Sequence, residues 1–145
     1  MLNPVTSGGG VAIGQSTITS GFKLEVAGSI RCSAVTETSD RRAKENITYL
    51  NSSESLCKIL NLKPCSFVFK KGGTTNVGLI ADEAATVIPS AVNGTADAVD
   101  SEGNPQYQGI DYSSVFTVLL SAVQELSKKL DQANERIKTL ESSVK

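Results

Sequence analysis

The chain has 145 residues, enough for one ordinary domain or two small pieces. Its 14 basic and 15 acidic residues nearly balance, which argues against a nucleic-acid or polyanion binder, because such proteins carry a basic excess. The absence of histidine excludes Ser-His-Asp and Cys-His catalysis and most zinc sites. Any nucleophile therefore needs another base, for which lysine is the obvious candidate, and we expect neither a metal nor a cofactor.

The cysteines are odd in number and show no CxxC spacing. Cys32, Cys57 and Cys65 are therefore predicted to be buried, small apolar residues of a protein in a reducing compartment. No run of about 18 apolar residues is present, so we expect no membrane span and no membrane partner.

Residues 1–38 predict β structure without a core of its own. The β-prone runs cover residues 11–14, 16–19 and 23–26, and strands this short are not stable alone. Three copies wound around each other would bury more surface. The stretch 23–30 resembles the strand signature found near the end of many phage fibre stalks.

The middle of the chain alternates between polar connections and short apolar periods. Its predicted elements, in chain order, are an exposed linker over residues 36–46, a helix over about 53–60, strands over 65–70 and 76–80 that pair as a β-hairpin, a helix over 81–87 closed by Pro89, and an extended loop over 93–108.

The last segment carries a heptad pattern. Apolar residues recur at alternating spacings of three and four, which is the a/d pattern of a coiled coil, and a trimer is allowed. Arg136 and Glu141 fall at g and the following e position, where a pair can form between helices. The alternative is a single amphipathic helix packed on its own domain. The predicted trimer seam consists of Phe116, Leu119, Val123, Leu126, Leu130, Ala133, Ile137, Leu140 and Val144.

Several motifs, in order, resemble the intramolecular chaperone, or self-processing, domain of endosialidases and other phage tailspike, tail fibre and neck appendage proteins. The resemblance covers about residues 39–127, and the family position of Asp82 is often Gln. The motifs are Ser39-Asp40-Arg41-Arg42-Ala43-Lys44-Glu45-Asn46-Ile47, Leu62-Lys63-Pro64-Cys65-Ser66-Phe67, Gly78-Leu79-Ile80-Ala81-Asp82-Glu83, Val87-Ile88-Pro89, Ile110-Asp111-Tyr112 and Ala122-Val123-Gln124-Glu125-Leu126.

The resemblance implies an α+β fold within an intertwined homotrimer. Residues 1–39 are then the end of the β-rich fibre stalk, 40–112 a mixed chaperone core with a hairpin and helices, and 113–145 the coiled-coil helix. It further implies that the domain sits at the C-terminus of a fibre, trimerises three chains in the host bacterial cytoplasm and templates the stalk. Its partners are its own copies and the upstream fibre segment. The fibre stays in the virion, and the chaperone leaves after cleavage.

The resemblance also implies a single-turnover serine endopeptidase with a Ser-Lys dyad, carried by Ser39 and Lys44. The lysine of such a dyad must be neutral, and a free lysine, with a pKa near 10.4, is neutral in only about one part in 10³ at pH 7. Nearby positive charge favours the neutral amine, so the flanking Arg41 and Arg42 are predicted to tune the base. Without the family context, Ser39 would be interpreted as an ordinary loop serine or helix N-cap, and Lys44 as a solvated surface lysine.

The cleaved bond is predicted to be Ser39–Asp40, with Thr38–Ser39 as the alternative. The Ser39 hydroxyl can reach the Thr38 carbonyl through a five-membered ring, whereas attack on its own carbonyl needs a strained four-membered ring. A cut after Ser39 therefore points to attack from a neighbouring chain or by an activated water.

Two other functions stay open. A non-cleaving structural cap would trimerise the fibre and remain attached, and it shares the fold and partners of the self-cleaving chaperone. A coiled-coil adaptor would instead bind some other helical partner, and a monomer in solution would favour it.

Overall fold

The computed structural model describes residues 10–15, 18–19, 21–70 and 72–144. The chain forms two compact units, Met1–Ile47 and Thr48–Lys145, and each is described by itself. The predicted boundaries at residues 39/40 and 112/113 concern cleavage and the coiled coil, and they stay predictions.

The first unit contains two short strands, β1 (Val11–Ile13) and β2 (Leu24–Val26). They pair in parallel, with Val11 opposite Leu24. Two of the three predicted β-prone runs are thus confirmed. Of the third, residues 16–17 lie outside the described residues, and 18–19 form no strand. A 3-10 turn over Arg41–Ala43 follows, within a stretch in which every residue from 27 to 47 is exposed.

The second unit begins with helix α1 (Ser52–Asn61), whose N-cap side chain, Asn51, accepts a hydrogen bond from the Glu54 backbone N–H at 3.1 Å. The strands β3 (Cys65–Val68) and β4 (Thr75–Gly78) then pair antiparallel, which confirms the predicted hairpin. A one-turn helix, α2 (Ala81–Ala85), follows.

The predicted loop over residues 93–108 is tied together at its base. Strands β5 (Val92–Asn93) and β6 (Gly109–Ile110) pair antiparallel, and an isolated bridge joins Val99 to Pro105. The long helix α3 (Tyr112–Ser143) follows at once and spans the predicted heptad region. No helix in the described ranges is long and apolar enough to cross a membrane.

The core of the second unit is small and lies against the first half of α3. Ile88, Ala91 and Val118 are buried together, and Ile59 and Leu62 of the α1 region pack against them. Further along α3 the same helix face buries Ser121, Ala122 and Glu125. One face of α3 therefore packs on its own unit, chiefly on α1.

The predicted burial of the three cysteines is wrong. Cys32 and Cys57 are exposed, and Cys65 is partly buried. Cys32 lies in an extended stretch with no buried residue, and Cys57 lies on a face of α1 that faces solvent, so neither has packing neighbours to cover it. Cys65 faces inward on β3, where its thiol lies 3.6 Å from the Gly78 carbonyl oxygen.

Candidate active site

The two residues of the predicted dyad meet. The Lys44 Nζ donates a hydrogen bond to the Ser39 Oγ at 2.8 Å. Five residues of extended chain would hold their backbones about 17 Å apart. The contact therefore requires the backbone between them to reverse direction.

The reversal is the 3-10 turn over Arg41–Ala43. The Ala43 N–H donates to the Asp40 carbonyl oxygen at 3.0 Å, and the Lys44 N–H donates to the Arg41 carbonyl oxygen at 3.1 Å. Asp40 is the N-cap of this turn, because its Oδ1 accepts the Arg42 backbone N–H at 2.8 Å. The polar composition predicted as a linker is thus a specific turn that returns the lysine side chain to the serine.

Electrostatically, the turn is closed by an ion pair between Asp40 and Arg42. The Arg42 Nε donates to Oδ1 at 3.0 Å and its Nη2 donates to Oδ2 at 2.7 Å. The Arg42 guanidinium and then its backbone N–H hold the pKa of the Asp40 carboxyl below its usual range. Arg41 forms no ion pair with any residue that the structure describes. That either arginine tunes Lys44 stays a prediction.

Asn46 belongs to the first sequence motif, but the sequence alone gave it no role. Its backbone has a φ of 51°, in the left-handed region that costs most L-residues energy. Asparagine adopts this conformation more readily than other non-glycine residues. The motif Lys44-Glu45-Asn46 therefore includes a backbone bend two residues after the lysine.

In the second unit, two further motifs touch each other. The Leu79 N–H donates to the Tyr112 Oη at 3.1 Å. A Cβ added to Gly78 would lie 2.6 Å from that Oη and 3.2 Å from the Phe67 Cε1. Gly78 is therefore required by the close approach of Tyr112, which explains why a glycine begins one motif and a tyrosine ends the other.

Asp111, also in a motif, caps helix α3. Its Oδ1 accepts the backbone N–H groups of Ser113 at 2.9 Å and Ser114 at 3.3 Å. The Ser114 hydroxyl donates to the Asp111 Oδ2 at 2.6 Å, and the Ser113 hydroxyl donates to its Oδ1 at 2.7 Å. These donors lower the pKa of Asp111 to about 2. The carboxylate thus fixes the start of the helix that carries the predicted seam.

Glu125 is a buried carboxylate that the sequence interpretation missed. It lies on the α1-facing side of α3, 6 % exposed, and accepts the hydroxyls of Ser52 at 2.7 Å and Ser53 at 2.8 Å. These two donors hold its pKa below the usual range. The only sequence signal was its place in the motif Ala122-Val123-Gln124-Glu125-Leu126. It joins the first turn of α1 to α3.

The predicted seam lies on a different face of α3 from the one that packs on α1. Its eight large side chains are between 41 % and 87 % exposed, and Ala133 is exposed as well. The alternative was a single amphipathic helix packed on its own domain. The helix does pack on its own unit, but the apolar residues of the predicted seam do not make that contact. Packing on α1 instead uses Val118, Ser121, Ala122 and Glu125.

The described residues form two neighbouring concave surfaces but no metal cluster. They contain no group of three or more His, Cys, Asp or Glu side chains with metal-binding geometry. A cavity of about 160 Å³ lies between the end of α1 and α2, lined by Leu62, Leu79, Ile80 and Val87 among others. Beside it lies a more open groove of about 570 Å³, lined by Glu54, Cys57 and Lys58 among others. The volume of the groove lies within the 300–1,000 Å³ that is typical for drug-sized ligands, and the volume of the cavity lies below it.

Comparison with known proteins gives two kinds of match. The chain is 29 % identical over 132 residues to an uncharacterized protein of Dictyostelium discoideum, covering 81 % of this chain and 12 % of that protein. It is 29 % identical over 140 residues to myelin regulatory factor homolog 1 of Caenorhabditis elegans, covering 89 % of this chain and 14 % of that protein. The chain thus spans about an eighth of the length of these curated relatives.

Residues 39–93 match the profile of a peptidase family described as the chaperone of endosialidase. The match begins at Ser39, includes the turn and Lys44, and continues through the hairpin to β5. It supports a chaperone role and implies a self-cleaving, peptidase-like domain. The match to residues 39–93 therefore supports the resemblance to the endosialidase-type chaperone domain that the sequence motifs indicate.

Proposed function

We propose that this chain is an intramolecular chaperone that trimerises a phage tail or appendage protein, templates its β-rich stalk and then releases itself by cutting Ser39–Asp40. The observation that carries the proposal is the 2.8 Å contact between Lys44 Nζ and Ser39 Oγ, at the first residue of the family match. A nucleophile and a base within hydrogen-bond reach are the minimum arrangement for covalent catalysis.

In the proposed reaction, the neutral Lys44 amine takes the proton of a serine hydroxyl or of a water. That oxygen attacks the Ser39 carbonyl carbon, the C–N bond to Asp40 breaks, and Lys44 passes the proton to the departing Asp40 amine. Where a serine attacks, a water then hydrolyses the ester and restores the hydroxyl. Because attack on its own carbonyl needs a four-membered ring, the oxygen comes from a neighbouring chain or from water. The cut at Thr38–Ser39 would instead use the five-membered ring.

The proposed trimer has two supports. The seam stripe of α3 is exposed in the single chain while its other face is occupied by α1. Ser39 and Lys44 are also exposed, and exclusion of water strengthens electrostatic interactions in an active site. Neighbouring copies would cover both surfaces, which would make cleavage depend on assembly.

The test is a denaturing gel of the purified chain beside Ser39→Ala. We expect the wild-type chain to yield fragments 1–39 and 40–145, and Ser39→Ala to stay intact. Ser33→Ala is the matched control, because Ser33 is an exposed serine of the same unit. N-terminal sequencing of the larger fragment should begin at Asp40, and a start at Ser39 would favour the alternative bond.

The same gel separates the competing function. A chain that stays intact in all three forms, yet sediments as a trimer, is the non-cleaving cap. Equal processing of the wild-type chain and Ser39→Ala would overturn the proposed dyad.

A further inference from the structure

The turn that joins Lys44 to Ser39 has no packing to hold it. Every residue from 27 to 47 is exposed, and a single 3-10 turn is only marginally stable by itself. Two backbone hydrogen bonds define the turn. Its geometry must therefore come from local polar contacts.

The strongest of these contacts is the Asp40 carboxylate. It accepts three hydrogen bonds from one residue, Arg42: the backbone N–H at 2.8 Å, Nε at 3.0 Å and Nη2 at 2.7 Å. The capping bond fixes where the turn begins, and the bidentate pair fixes the Asp40 side chain against the turn. Because the Arg42 guanidinium points at Asp40, its charge is directed to the carboxylate.

Asp40 also lies on the departing side of the predicted scissile bond. The contacts that shape the turn thus orient the residue whose amine must leave. They lie within five positions of both members of the dyad.

We propose that Asp40 and Arg42 are positioning residues of the self-cleavage reaction, whose ion pair holds the turn that presents Lys44 to Ser39. This inference rests on the proposed function. An exposed ion pair contributes little to the free energy of unfolding. Loss of this pair should therefore change the cleavage rate more than the stability of the chain. Bidentate geometry, rather than positive charge, is the property that matters.

The test compares Arg42→Lys, Arg42→Gln and Arg31→Gln by cleavage rate. Lysine keeps the charge but cannot reproduce the planar fork, so both Arg42 variants should slow cleavage by about tenfold or more. Arg31→Gln removes the same charge from an exposed residue of the same unit and should leave the rate within about twofold. A wild-type rate in Arg42→Lys would overturn the proposal in favour of charge tuning, and equal slowing in Arg31→Gln would overturn it in favour of a general charge effect.

The pH profile separates positioning from charge tuning. In the proposed reaction the base must be neutral, so the acidic limb of the cleavage profile follows its protonation. If Arg42 acts by position, that limb should stay in place in Arg42→Gln while the plateau rate falls; if Arg42 acts by its charge on the base, the limb should move to higher pH. Asp40→Asn keeps an oxygen that can cap the turn but loses the ion pair, so it should be slow with the limb in place. A limb at higher pH in Arg42→Gln would overturn the positioning role.

A measurement that needs no cleavage separates this inference from the proposed function. In the Ser39→Ala chain, labelled on alanine methyl groups, nuclear Overhauser effects from position 39 to the Lys44 ε-protons report the approach of the two side chains. They should weaken when Arg42→Lys is added and persist with Arg31→Gln. If they persist with Arg42→Lys, the positioning role of the Asp40–Arg42 ion pair is wrong even where cleavage occurs. A wild-type chain that never cleaves refutes the proposed function alone.

Discussion

The two compact units differ in what they bury and in what chemistry they carry. In the described part of the first unit, only Gly10 and Ala12 are buried, yet this unit contains the Ser39–Lys44 contact. The second unit buries Ile88, Ala91 and Val118 around α3, and the described serine hydroxyls that bond to its carboxylates join α1 to α3 or cap α3.

The candidate chemistry and the stability of the fold therefore depend on separate residues. The dyad forms through contacts within six consecutive residues, and it therefore needs no core. The second unit forms through contacts between distant segments and presents the seam. In the proposed trimer, neighbouring chains would protect the dyad from water. Some changes should therefore affect cleavage, some folding, and some both.

The largest effect is expected from the seam, whose loss should affect both units. Changing Leu126 and Leu130 to Asp should produce a monomer and abolish cleavage, because each buried Leu contributes about 1.5–3 kcal/mol to association. Far-ultraviolet circular dichroism should still show α3, since its packing on α1 uses other residues, Ser121, Ala122 and Glu125 among them. Sedimentation and the denaturing gel measure the two outcomes.

The matched control for the seam adds the same charges elsewhere on the helix. Gln124→Asp and Gln132→Asp lie outside the seam positions on exposed parts of α3. They should leave the trimer and cleavage intact. A monomeric seam variant that still cleaves would contradict the dependence of the dyad on assembly.

A second change should destabilise the second unit without altering the dyad. Gly78→Ala places a Cβ 2.6 Å from the Tyr112 Oη, and such overpacking costs about 1–3 kcal/mol. Adding Tyr112→Phe removes the clashing hydroxyl and should recover part of that loss. Gly109→Ala is the control, because a Cβ there meets nothing within 4 Å. Urea unfolding measures all three, and additive losses in the double variant would show that the hydroxyl is not the cause.

A third change should act on the first unit alone. Asn46→Val puts a β-branched residue at a φ of 51°, which costs about 1–2 kcal/mol and should slow cleavage by about tenfold. Asn46→Gly adopts the same backbone freely and should cleave at the wild-type rate. The urea midpoint of the second unit should be unchanged in both. A shifted midpoint would mean that the two units depend on each other more than their burial indicates.

The smallest effect is expected at the cap of α3. Asp111→Ala should lower the free energy of unfolding by about 0.5–2 kcal/mol, whereas Asn keeps the cap. Because the folded pKa of Asp111, about 2, lies below the unfolded value near 3.9, its charged form stabilises the fold above pH 4, and this stabilisation is lost as the pH falls toward 2. Asp111→Asn should therefore reduce the acid sensitivity of the urea midpoint. If the acid sensitivity is unchanged, the loss of stability at low pH comes from other groups, such as Glu125.

The elements that could be predicted are those with local signals. Helix α3 follows from its apolar period, and the hairpin follows from Gly72-Gly73 between two β-prone runs. The parallel pairing of β1 with β2 was not predicted, since short runs do not specify the direction of their partner. The prediction that the cysteines are buried was wrong for a similar reason. Residue type indicates a tendency to be buried, but not whether another part of the chain packs over the side chain.

For the candidate site, the sequence alone identifies which residues could form a dyad: histidine is absent, and the family motif contains Ser39 and Lys44. The folded chain was needed to show that a turn closed by Asp40 and Arg42 brings them together. It was also needed to show that Glu125 accepts a hydrogen bond from Ser52, 73 positions away. A local pattern fixes the torsional and helical preferences of its own residues, but a contact between side chains depends on the path of the backbone between them, which no residue-by-residue pattern contains.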